Sequence, residues 1–122
     1  MTIAEALDRA DRTRQNQIDA DLKLAWLSEL DGQLRAELLA ACEGELPAFA
    51  GYGASTPRST ELLIPHPYDG LYVQYLVMRV DLENGELARY NADAQCFNRA
   101  WQSFAGQYVR THRPRGAARL RF

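Results

Sequence analysis

The chain has 122 residues, of which 47% are apolar, 25% charged and twelve aromatic, with a formal net charge of −2. That composition belongs to a folded chain of one domain and excludes a disordered one; at this length roughly two-thirds of the unfolded surface is buried, enough for a single core. Met1 to Asp8 carry neither the basic nor the apolar region of a secretory signal, and no apolar run approaches the roughly 18 residues of a membrane span, so a soluble protein made inside the cell and without membrane contact is expected.

Residues 2–14 predict a short amphipathic helix, with Ile3, Ala6, Leu7 and Ala10 on one face, Thr2 as N-cap and Glu5 completing a capping box. Arg14 to Gln17 break the pattern. Residues 19–42 predict a second helix capped by Asp19, its stripe running through Leu22, Trp26, Leu27, Leu30, Leu34, Leu38 and Ala41. Asp21, Lys23, Glu29, Arg35 and Glu37 are expected mostly to face away from that stripe. Gly32 inside it marks close packing or a kink, and Glu43-Gly44 supplies the stop.

Residues 44–67 contain four prolines and three glycines, which no helix survives. Thr60–Ile64 reads as extended, a lone short strand at most. A loop this long inside a compact domain is usually functional, which makes it a candidate contact surface through Tyr52, Arg58, Leu63, Ile64 and the adjoining Tyr68.

Residues 68–83 predict a third helix opened by Pro67 and apolar on more than one face, hence covered on two sides. Asn84-Gly85 is a turn. A fourth helix follows over about 86–111, with a stripe of Leu87, Tyr90, Ala94, Phe97, Trp101, Phe104 and Tyr108; a later start, capped at Asn91 to Asp93, is the alternative. Pro114 and Gly116 end it. The expected fold is therefore all-α: a small bundle of about four helices over residues 1–112, with an extended basic arm over 113–122.

Charge is unevenly placed. Residues 1–109 hold nine basic against sixteen acidic side chains, a charge of −7, whereas residues 110–122 hold five arginines and no acid, a charge of +5. Arg110, Arg113, Arg115, Arg119 and Arg121, alternating near the end with Leu120 and Phe122, suit docking on a partner protein better than bare phosphate binding, which needs no apolar anchors. Cys42 and Cys96 each sit in an apolar helical pattern and read as buried free thiols. His66 and His112 have no ligand partners at metal spacing, and Gly51-Tyr52-Gly53 lacks the strand and helix of a nucleotide fingerprint. The acid pairs Glu29/Asp31 and Glu43/Glu45 are two apart, so the partners do not face each other, and nothing apolar walls them in as general acid and base would need. No catalytic residue, cofactor or metal is expected, and the chain reads as a non-enzyme.

Four stretches, taken in order, carry a resemblance. They are Lys23 to Gly32; Thr60 to Tyr68 with Leu71-Tyr72 and Tyr75-Leu76; Asn84-Gly85-Glu86 with Arg89-Tyr90-Asn91; and Phe97-Asn98, Phe104, Arg110-Thr111-His112 and Pro114. Together they resemble the small structural-module proteins of tailed phages and prophages that act as head–tail connectors (adaptors). The resemblance implies a helical subunit of a ring, commonly twelve-fold, in the phage neck of the virion. It implies contact with the portal protein through the C-terminal arm, and with a neck or tail-terminator protein on the other face. DNA would pass the channel without specific binding, an acidic lumen letting it slide. A tail-completion or neck protein that does not touch the portal, and a small packaging-associated DNA-binding protein using the Arg arm, are the competing readings.

Overall fold

The computed structural model describes residues 1–115. Within them lie four α-helices: α1 (Ile3–Thr13), α2 (Ala20–Leu34), α3 (Leu71–Glu83) and α4 (Leu87–Thr111). A π-helical segment, Arg35–Leu39, continues α2. Among the described residues the β content is two isolated bridges, Thr2 with Glu61 and Cys42 with Pro114. The architecture is all-α.

The ends of α1 and α2 follow from local chemistry. The Thr2 hydroxyl accepts from the Glu5 N–H and the Glu5 carboxylate accepts from the Thr2 N–H, each at 3.2 Å, so two amides left without partners by the helix geometry are satisfied reciprocally. Those bonds also hold the Glu5 carboxyl below its ordinary range. The next amides are met by the long loop: Ile3 N–H donates to the Thr60 carbonyl and Ala4 N–H to that of Arg58, both at 3.0 Å. The Asp19 side chain accepts from the Asp21 N–H and opens α2.

The second helix departs from the uninterrupted span of 19–42. After Leu34 the hydrogen bonding widens by one residue, with Ala40 N–H donating to the Arg35 carbonyl at 3.0 Å. Two loop contacts accompany the change. The Arg35 Nε donates to the Pro47 carbonyl at 2.7 Å, and the Phe49 ring lies where a Cβ on Gly32 would meet it at 3.5 Å. Gly32 thus marks close packing of the loop on α2. Gly44, at φ +128°, then turns the chain away.

α3 begins at Leu71 rather than Tyr68, because Pro65 to Gly70 are used in consecutive turns, including Tyr68 N–H to the Pro65 carbonyl at 2.9 Å. It is the central element and packs against α1, α2 and α4. Eight of its 13 residues are buried, on more than one face, as its all-round apolar pattern requires. Gly85, at φ +72°, makes the turn into α4, so the break falls at Asn84-Gly85 and not at Asn91.

The core contains Ile3, Ala6 and Ala10 of α1, Leu24, Leu27, Leu30 and Leu34 of α2, and Leu71, Tyr72, Leu76 and Val80 of α3. α4 adds Phe104 and Ala105. Each fully buried Leu, Ile or Phe contributes about 1.5–3 kcal/mol. Leu62 and Ile64 plug the same core from the loop. Ile64 is therefore corrected from a candidate interface residue: it is 0% exposed and its surface is already covered by its own chain. Lys23 is corrected too. It is 4% exposed, its ammonium donating to Asp11 Oδ1 at 2.7 Å and Asn16 Oδ1 at 3.1 Å, which ties the α1–α2 connection to α2. Cys42 is buried as expected, whereas Cys96 is exposed on α4.

Candidate interaction surface and its anchors

The loop is fastened by Asp31, a carboxylate for which the local sequence shows no apolar wall. Asp31 is 0% exposed. Its Oδ1 accepts from the Tyr72 hydroxyl at 2.6 Å, and its Oδ2 from the Tyr52 hydroxyl and, at 3.2 Å, from the Leu63 N–H. The Tyr72 oxygen in turn accepts from the Ile64 N–H at 2.7 Å. Burial pushes the Asp31 carboxyl above its usual range, opposed by the three hydrogen bonds to its charged form. Every neighbour is a donor, an arrangement that suits the ionised carboxylate. The result is a polar rivet joining α2, α3 and both ends of segment 52–64. One signal of it was in the sequence: Leu24, Leu27, Asp31, Leu34 and Leu38 alternate three and four apart, so Asp31 occupies a stripe position.

This accounts for most of the loop residues expected at an interface. Tyr52 donates to Asp31 and packs edge-on against Phe49, ring centroids 5.1 Å apart. Tyr68 is half-buried against Phe104 at 5.5 Å. Leu63 is half-buried, and Arg58 reaches Asp21 at 3.8 Å with a partly exposed side chain. Tyr52, Arg58, Leu63 and Tyr68 all keep part of their surface exposed; Ile64 keeps none.

The start of the C-terminal arm lies against the end of the π-helical segment. His112 stacks on Tyr108 with centroids 3.8 Å apart. The Glu43 N–H donates to the Arg113 carbonyl at 2.6 Å, and the Arg115 N–H to that of Ala41 at 2.9 Å. The Arg115 guanidinium donates to the carbonyls of Cys42 at 2.7 Å and Gly44 at 2.9 Å. Residues 113–115 thus run back along 41–44, and Arg115 is engaged within its own chain. Arg110 is exposed, its guanidinium 3.4 Å from where a Cβ on Gly106 would stand. Arg119, Leu120, Arg121 and Phe122 lie outside the described residues.

α4 presents a partly covered apolar face. Of its 25 residues only Phe104 and Ala105 are buried. Tyr90, Ala94, Phe97, Ala100, Trp101, Tyr108 and Val109 are partly buried hydrophobics packed on the core. Between α2 and α4 runs a groove of about 220 Å³ floored by Tyr75 and walled by Leu30, Gln33, Glu37, Phe97 and Trp101. Trp101 also borders a second hollow of about 440 Å³ with Gln102, Ala105 and Gly106. The aromatic rings continue one another: Tyr75 to Phe97 at 5.2 Å, Phe97 to Trp101 at 6.2 Å. At the α3–α4 turn, Leu82 and Leu87 are 43% and 60% exposed. The other side of the α2–α3 seam is closed by Arg79, which lies 4.9 Å from the centroid of the Trp26 ring, donates to the Tyr75 hydroxyl at 2.8 Å and pairs with Glu29 at 3.1 Å.

Among the described residues, no group of three or more His, Cys, Asp or Glu is placed to hold a metal ion, and no helix is long and apolar enough to cross a membrane. The chain matches no family model, no curated protein and no solved structure.

Proposed function

We propose that this protein is a non-enzymatic structural subunit of a phage neck: a head–tail connector, one copy of a ring between the portal and the next neck or tail component of the virion. The observation that carries the self-assembling part of this reading is α4. A helix of 25 residues with two buried side chains and a row of half-covered aromatics has apolar surface that its own chain leaves open. In a ring, such a face is covered by the neighbouring copy. The identity of the particle rests on the ordered motifs that resemble the connector family.

The portal would be met at the C-terminal side, where Arg110 is exposed and Arg113 is held beside the end of the π-helical segment. Arg115 supports that site from beneath by bonding the carbonyls of Cys42 and Gly44. That engagement uses two of the five N–H donors of the guanidinium and fixes its position against the carbonyls of its own chain. The test is reconstitution of the chain with the portal protein of its own structural module. A ring seated on the portal supports the reading. Binding to a tail-end protein alone moves the chain to a tail-completion role, and salt-sensitive DNA binding without either partner moves it to the packaging class.

A further inference from the structure

A cluster of charges lies on the other side of α3, away from the aromatic groove. Asp81 of α3 has a side chain 2% exposed, Asp93 of α4 one 19% exposed, and Arg14, just after α1, reaches both. Arg14 Nε stands 3.3 Å from Asp81 Oδ2, and Nη2 donates to Asp93 Oδ1 at 3.5 Å. The pairing is incomplete: Arg14 Nε, Asp81 Oδ2 and Asp93 Oδ2 are all buried without a well-formed hydrogen bond. Two carboxylates thus share one close guanidinium in a site mostly shut off from water. A proton on Asp93 would turn its carboxyl into a donor toward the neighbouring Asp81 carboxylate.

The place of the cluster matters because of what surrounds it. From Leu87 to Ala100 no residue of α4 is buried; both buried residues of that helix, Phe104 and Ala105, lie beyond. The first half of α4 is therefore held to the core only through partly buried side chains, Tyr90, Ala94, Phe97 and Ala100. We infer that Arg14, Asp81 and Asp93 form a proton-operated latch on the first half of α4, closed when Asp93 carries a proton and loosened when it is ionised.

The charged groups facing Asp93 are Arg14 after α1, Asp81 on α3 and Arg89 on α4 itself. Its other neighbours across a hollow of about 240 Å³ are neutral, among them Val73, Val77 and Cys96. Burial and the Asp81 carboxyl push Asp93 up to about 6, with the two arginines opposing. This latch goes beyond the connector reading and does not depend on it. It gives the outer helix, whichever partner it meets, a setting that depends on pH near neutrality.

The test is amide hydrogen exchange of the full chain at pH 5 and pH 7.5, corrected for the intrinsic pH dependence of exchange, for the native sequence and Asp93→Asn. An Asp93 pKa of about 6 against about 3.8 in an opened state makes protection over residues 87–100 about tenfold greater at pH 5 than at pH 7.5. The Asn amide donates to Asp81 as the protonated acid does, so the variant keeps high protection at both values. Equal protection of the native chain at both pH values overturns the latch, as does an unchanged pH dependence in Asp93→Asn or a loss spread evenly over all four helices. Direct carboxyl NMR covers the case of a poorly folded variant: Asp93 titrating near 6 in the native chain supports the latch, and titration below about 4.5 removes it.

Discussion

Asp31 is the most consequential single side chain for the shape of the loop. Replacing it with Asn keeps the volume but turns one acceptor into a donor. If the new amide NH₂ takes the place of Oδ1, it faces the Tyr72 hydroxyl, which already accepts from Ile64 and then has nowhere to place its own proton. If it takes the place of Oδ2, it meets two donors, the Tyr52 hydroxyl and the Leu63 N–H. The less damaging choice leaves one buried donor without a partner, a cost of about 1–3 kcal/mol. Asp31→Ala leaves the donors of Tyr72 and Leu63 without a protein partner, while Tyr52 is open enough to reach water. At about 1–3 kcal/mol for each of those two groups, plus a small cavity, the loss is about 3–5 kcal/mol. That is a large part of the 5–15 kcal/mol available to a typical domain, so the Ala variant should be close to unfolding.

Urea unfolding followed by tryptophan fluorescence measures these values. A cycle of Asp31→Asn, Tyr72→Phe and the double variant isolates the bond between them, with an expected coupling of about 1 kcal/mol or more. An Asn variant as stable as the native chain, or strictly additive single losses, would refute the rivet.

Four further outcomes are expected. Lys23→Met should cost under about 1 kcal/mol in the same unfolding assay despite the burial of Lys23, because its partner Asp11 is 45% exposed and is rehydrated when left alone. Arg115→Ala should destabilise by about 1 kcal/mol and speed amide exchange at residues 41–44, since the two carbonyl bonds it loses are at the surface. Trp101→Ala should cost the isolated chain less than the 3–5 kcal/mol of a core aromatic, because the ring is only half-buried, while abolishing self-assembly; a full core penalty with assembly intact would reverse the roles. For Asp93 the folded pKa of about 6 lies above the unfolded value, so its stabilising contribution is complete below about pH 4 and lost as pH rises through 6. Native chain and Asp93→Asn should therefore differ between pH 5 and pH 7.5 by about 1.4 kcal/mol in the pH dependence of unfolding.

The helices were legible because periodicity and capping agree locally: Thr2 with Glu5, Asp19, and Asn84-Gly85 each stand at or beside the ends that the structure shows. The π-helical segment was not, since nothing in Arg35–Leu39 itself breaks the period and the contacts beside it come from Pro47 and Phe49, far along the chain. Lys23 falls among the charged residues expected to face away from the stripe, and the local sequence shows no apolar wall around Asp31. Their burial depends on partners at Asp11, Asn16, Tyr52 and Tyr72, which the fold brings together and no local spacing reveals. Reading Asp31 as part of the stripe of Leu27, Leu34 and Leu38 would have marked it as inward-facing. Ile64 was misassigned for the opposite reason: a Pro-flanked loop suggested exposure, yet the loop folds inward to fill the core. The open face of α4 could not be separated from core in sequence, because a helix covered by a neighbour has the same stripe as one covered by its own chain.

As proposed, this chain is one copy of a ring whose subunits meet through the outer face of α4 and which sits on a portal. The most direct measurement is electron cryomicroscopy of the full chain purified together with the portal protein of its structural module, with Trp101→Ala carried in parallel. The expected result is a ring of this chain on the portal, with Phe97 and Trp101 covered by the adjacent copy, and no ring from the variant. A chain that stays monomeric beside the portal, or a ring that leaves the α4 aromatics facing solvent, would contradict it.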